Sequence, residues 1–195
     1  MIHYIILERS KPTVLADVKG EGAVKHIRIT DSAVAGRQLL MRIYFDGQTS
    51  PAVDVSLSDF FANADCSEYR QISSMVICCN PRKGFNSYFE MPYFKGFRIE
   101  IENIGTSDAI IYYRIDCEEK EISPDSLYFH AQFRLINPLP YKQVYTILDN
   151  IGSQGNMSAP TCIVARSRIF HRRRYVFSEH LRHGHGVLFL RRVQF

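Results

Sequence analysis

Three stretches of this chain carry acids, bases and rings at spacings that could do chemistry. In the first, Arg42-Ile43-Tyr44-Phe45-Asp46-Gly47 leads through Pro51-Ala52-Val53-Asp54-Val55 to Ser58-Asp59-Phe60-Phe61. Asp59 could accept from hydroxyls while Phe60 or Phe61 packs on a C–H face, as a sugar site requires. An acid capping a helical turn, with both rings in the core, explains the same residues, because Phe is usually buried. In the second, Phe129-His130-Ala131-Gln132-Phe133-Arg134 projects His130, Gln132 and Arg134 from one side of a strand. They could line a cleft, with Arg134 orienting a hydroxyl or carboxylate. The same alternation describes the solvated face of an outer sheet, or a subunit contact. In the third, Tyr88-Phe89-Glu90-Met91-Pro92-Tyr93 precedes Arg98-Ile99-Glu100-Ile101-Glu102-Asn103. Glu100 and Glu102 would sit roughly 5–7 Å apart on one strand face, near the separation used by retaining glycosidases. Nothing nearby would raise the pKa of one partner, so a solvated pair is the simpler reading.

These residues need strands to aim them, and the sequence supplies strands. Period-two alternation recurs at 13–18, with Val14, Ala16 and Val18 on one face, and at 25–29, with Ile27 and Ile29. It returns at 40–46 (Met41, Ile43, Phe45), 53–57, 97–101 (Phe97, Ile99, Ile101), 110–117 (Ile111, Tyr113, Ile115), 128–135 and, more weakly, 144–148. Asp46-Gly47, Asn80-Pro81, Lys83-Gly84, Gly105-Thr106-Ser107 and Ser123-Pro124-Asp125 are turn chemistry. A helical turn is expected at 57–63, capped by Ser58. About eight short strands, each with one wet and one dry face, predict an all-β, antiparallel sandwich of jelly-roll type.

Charge divides the chain near Gly155. Residues 156–195 hold eight Arg, no Lys, four His and one acid, Glu179, so they carry +7 of the net +4 and leave −3 to residues 1–155. The basic excess is confined to this tail, and the domain itself gives no reason to expect nucleic acid. His180, His183 and His185 have a spacing that resembles a metal site. The intervening Arg182 would repel a cation, so no metal is expected there. The five Cys, at 66, 78, 79, 117 and 162, make neither a disulfide framework nor a zinc site. No stretch is long enough for a membrane-spanning helix, and residues 1–6 are too short for a signal peptide. Taken as written, the chain is expected in the cytoplasm.

The three stretches together resemble glycoside hydrolase family 172, over about residues 13–155. The family shows an Arg-Ile-Tyr-Phe-Asp-Gly strand, a Pro-x-Val-x-Val strand ending in Asp-Phe-Phe, and a Met-Pro-Phe/Tyr segment. It also shows a Tyr-Tyr-x-Ile-Asp strand, here Tyr112-Tyr113-Arg114-Ile115-Asp116. Then comes Phe-His-Ala-Gln-Phe/Tyr-Arg followed by Asn-Pro, here residues 129–134 with Asn137-Pro138. The resemblance implies a two-jelly-roll subunit, assembly into trimers or hexamers, and retaining hydrolysis or transfer of fructofuranosides or arabinofuranosides without a cofactor.

Family members continue with segments that carry the two catalytic Glu. This chain has neither segment, and no Trp. With a suitable choice of codons, residues 181–186 read one base later encode Cys-Gly-Thr-Gly-Thr-Glu, close to one of those segments. The expectation is therefore a jelly roll at 1–150 and an aberrant, poorly structured basic tail at 151–195, either without order or held as improvised strands. Met1 would be an internal start, which leaves a secreted or periplasmic location open for the intact protein. On this reading the chain is an inactive furanosidase fragment with no catalytic residue, whose residual sugar surface is Asp59, Phe60, His130 and Arg134. The alternative is a non-catalytic module that binds glycans or serves assembly.

Overall fold

The computed structural model describes residues 3–31, 36–63, 71–80, 83–136, 156–166 and 181–191. Their strands, numbered in chain order, form two sheets. The first sheet contains β1 (His3–Leu7), β3 (Gly22–Asp31), β6 (Ile72–Ser73), β7 (Ile77–Cys79), β8 (Gly84–Ser87), β9 (Met91–Tyr93) and β11 (Ala109–Glu119). Its order is β1-β11-β3-β8-β7-β6, with β9 also on β3. The second contains β2 (Pro12–Lys19), β4 (Leu39–Phe45), β5 (Val53–Ser56), β10 (Gly96–Asn103), β12 (Phe129–Ile136), β13 (Asn156–Arg166) and β14 (Leu181–Arg191). Its order is β13-β14-β12-β5-β4-β10-β2. Neighbours run antiparallel except β12 and β5, which are parallel.

Alternation builds the core as expected. Met41, Ile43 and Phe45 from β4 and Phe97, Ile99 and Ile101 from β10 turn inward. They meet Ile27, Ile29 and Ile111 from the first sheet in one buried cluster. Full burial of each such side chain contributes about 1.5–3 kcal/mol relative to exposure.

The expected face of β2 breaks. Val14 is 48% exposed, and Leu15 is buried instead. The cause is a bulge: Ile99 pairs with Ala16 but Glu100 pairs with Val14, so Leu15 is the extra residue. An extra residue on one strand turns the following side chains to the opposite face. A second bulge inserts Lys25 in β3, between the partners of Asp116 and Cys117. It lets Val24 and Ile27 both point inward.

The helical turn is present as α1 (Leu57–Phe60), but its cap is Ser56 rather than Ser58. Strands β1, β6, β7, β8 and β9 were not expected from alternation. Residues 144–148, read as a weak strand, lie outside the described residues. In the basic tail, residues 156–166 and 181–191 are strands. They run as an antiparallel pair, with β14 against β12.

Candidate functional site

Asp59 sits on α1, where β5 ends. The Ser56 hydroxyl accepts the Asp59 backbone N–H at 3.3 Å and also donates to the Asp59 carboxylate. Arg37, from the 3-10 turn Gly36–Gln38, closes on that carboxylate with both prongs of its fork: Nε to Oδ2 at 2.6 Å and Nη2 to Oδ1 at 3.0 Å. The Arg37 guanidinium also lies 4.8 Å over the Phe133 ring. Asp59 has no exposed surface. A buried charge held by a bidentate arginine is a structural tie, and removing one partner typically costs about 3–5 kcal/mol.

Phe60 is equally buried. It meets Phe61 edge-on at 5.1 Å and Phe129 at 6.2 Å, while Phe61 stacks on Phe85 at 5.4 Å. Asp59 and Phe60 therefore do not line a sugar-facing surface in this structure. They form the other arrangement weighed for them, an acid at a helical turn beside rings in the core. The physical reason is the partner from Gly36–Gln38, which draws the acid inward.

His130 lies on β12 between the core residues Phe129 and Ala131, at a position opposite Leu190. It is half-buried. Burial pushes its pKa down from 6.5, and a hydrogen bond with the Ala52 backbone opposes part of that shift. Arg134 occupies the β12 position opposite Gly186; its side chain lies outside the described residues. The parallel pairing of Ala131 with Val53 and Gln132 with Asp54 sets β12 beside β5, the strand that leads to Asp59. The strands of the four candidates are thus neighbours, but Asp59 and Phe60 belong to the interior.

The wet face of the second sheet accounts for Glu100 and Glu102. Arg42 Nη1 reaches Glu102 at 2.7 Å, and its Nε reaches Asp54 at 3.3 Å. Its pKa is raised, chiefly by the hydrogen bond to Glu102. Arg98 pairs with Glu100 at 3.0 Å and lies 4.5 Å over the Tyr44 ring. Each Glu is engaged by an arginine.

A recess of about 660 Å³ opens at the end of this sheet, lined by Asp17, Lys19, Tyr44, Gln48, Lys95 and Arg98 among others. Its rim is the Asp46-Gly47 turn. Asp46 adopts φ 54° and gathers the backbone N–H groups of Phe94 (3.0 Å), Lys95 (2.6 Å) and Gly96 (3.1 Å), together with the Tyr128 hydroxyl. Burial first, and then the bond to Asp46, pushes the Tyr128 pKa up. Gly96, at φ +150°, lets β10 pass β2 closely: a Cβ there would come within 2.4 Å of the Val18 carbonyl oxygen. Alternation marked Asp46 only as one more polar position; its role as a brace depends on chain 48–50 residues away. Among the described residues, no group of three His, Cys, Asp or Glu could hold a metal ion.

No curated protein matches the chain. A family model described as the GH172 first beta-sandwich domain matches residues 2–126, well over half of the sequence. With that match over the two-sheet architecture, this chain belongs to glycoside hydrolase family 172.

Proposed function

We propose that the sandwich is the scaffold part of a retaining furanosidase, acting on fructofuranosides or arabinofuranosides, and that this polypeptide holds such sugars without cleaving them. Retaining hydrolysis needs two carboxyl groups about 5 Å apart, one of them protonated at the working pH. The observation that carries the reading is how the nearest acids are used. Glu102 is bound by Arg42, Glu100 by Arg98, and Asp59 by Arg37 inside the core. The recess at the Asp46-Gly47 turn falls in the 300–1,000 Å³ range of small-ligand sites and mixes an aromatic with polar groups, as a sugar subsite does.

The test is turnover of aryl arabinofuranosides and fructofuranosides by the purified full chain. Rates no higher than the uncatalysed reaction are expected. Turnover that Glu100→Gln or Glu102→Gln abolishes would overturn the proposal.

A second reading, an assembly module, has its own observation. Tyr4, Ile6 and Ile110 form an exposed apolar row on β1 and β11, with Ile6 directly opposite Ile110. Exposed rows of this kind mark contact surfaces. A trimer or hexamer by sedimentation, lost on Ile6→Lys, would favour it.

A further inference from the structure

The outer face of the first sheet has a different chemistry at its centre. Arg28 on β3 and Arg114 on β11 stand directly opposite each other, and Asn86 on β8 stands opposite Arg28 from the other side. Like charges opposed across strands destabilise a sheet unless something neutralises them. Asp116 neutralises one: Arg114 Nε donates to both of its oxygens, at 2.7 and 3.0 Å. Arg28 is exposed, and no acid pairs with it among the described residues.

The surroundings of Arg28 are fixed rather than loose. His26, two residues earlier, faces Asp116 Oδ2 with Nδ1 and Asn86 Oδ1 with Nε2, both at 3.2 Å. The Asn86 amide is oriented in turn by donating to the Cys78 and Gly84 carbonyls, at 3.1 and 3.3 Å. Tyr88 lies flat on His26, with centroids 4.6 Å apart and planes within 4°. Tyr88 and Tyr112 stand diagonally on either side of Arg28, and each exposes nearly half of its surface. The result is a rigid polar floor, one uncompensated guanidinium and two flanking rings.

We infer that this face, centred on Arg28, binds a carboxylated sugar unit, a uronate residue of an acidic glycan. The guanidinium fork takes the carboxylate in two parallel bonds, which a planar carboxylate matches. Tyr88 and Tyr112 offer ring faces to the C–H faces of this sugar and its neighbour. Asp116, partly exposed beside Arg114, offers an acceptor to a ring hydroxyl. The inference rests on the carbohydrate reading above and adds a second sugar surface, on the sheet away from the Asp46-Gly47 recess.

The full ¹⁵N-labelled chain should be titrated with a tetra-galacturonate, a neutral galacto-oligosaccharide of equal length and an acidic oligo-glutamate peptide. Saturable shifts of the Arg28, Asn86, Tyr88 and Tyr112 signals are expected with the tetra-galacturonate. Arg28→Ala should weaken its binding about ten- to a hundredfold, as loss of a charge-assisted pair does, and Arg28→Lys should restore part of it. The neutral sugar should bind about tenfold or more weakly. Equal affinity for the two sugars, equal or tighter binding of the peptide, shifts only at the recess, or no binding would each overturn the inference. Furanoside turnover by the same sample would refute the scaffold proposal without touching this one. Loss of galacturonate binding alone would leave the scaffold proposal standing.

Discussion

The two outer faces of the sandwich are built from similar residues and finished differently. On the second sheet, Arg42 links Glu102 and Asp54 across three strands, and Arg98 covers Tyr44 while holding Glu100. On the first, Arg28 faces Arg114 without an acid of its own, and Tyr4, Tyr88 and Tyr112 stay open to solvent. A face whose charges are already zipped has little left to offer a partner at its middle, and leaves only the recess at its end. An unfinished face carries a cost in the isolated chain that a partner can offset. The contrast sets a rigid, ready-paired face against the one proposed above as a recognition surface.

The largest test of this contrast lies at the rigid side's inner anchor. Arg37→Ala leaves the Asp59 carboxylate buried and alone, and should destabilise the fold by about 3–5 kcal/mol; urea unfolding reads this directly. The brace at the recess comes next. Asp46→Ala strips an acceptor from three backbone amides and from Tyr128, and a loss of about 1–3 kcal/mol is expected. A reduction below about 0.5 kcal/mol would show that water serves those amides equally well. Ser56→Ala removes the helix cap and one partner of Asp59, for about 1 kcal/mol.

On the recognition side the same measurement should move least. Arg28→Ala is expected to shift stability by no more than about 0.5 kcal/mol, as exposed substitutions do. A large loss would mean that Arg28 belongs to the frame and would erase the contrast.

His130 supplies a pH test of the interior. Its folded pKa lies below the unfolded value of 6.5, so the unfolded chain binds the proton more tightly. Stability is then unaffected well above 6.5, falls as pH drops through 6.5, and levels off below the folded pKa. His130→Gln should flatten that slope, which thermal melts across pH 8 to 5 would reveal.

What the sequence revealed follows from how local each cause is. The dry faces of β4, β10 and β11 were legible because an unbroken strand writes its burial into alternate letters. The face of β2 was misphased because Leu15 is a bulge residue, and a bulge is defined by the partner strand; the bulge at Lys25 in β3 left the inward reading of Ile27 and Ile29 intact. β6 and β9 are two and three residues long, too short for any period to emerge. Among the candidate residues, Phe60 allowed either ring chemistry or a place in the core, and it obeys ordinary burial. Asp59 was ambiguous because its partner, Arg37, lies 22 residues away and outside every motif. The Arg42–Glu102 pair spans 60 residues and needed the register of β4 against β10 before it could be read. For the same reason Arg28 drew no notice: what distinguishes it is the cation placed across from it on β11.

The parallel contact between β5 and β12 reaches further than its two paired positions suggest. The region that defines the family here stops at residue 126, yet β12 begins at Phe129, whose ring meets Phe60 and Phe89. A chain cut after residue 126 would keep all of the matched region and still lose a wall of its own sandwich. It would bare the edge of β5 and leave Asp46 without its Tyr128 strap.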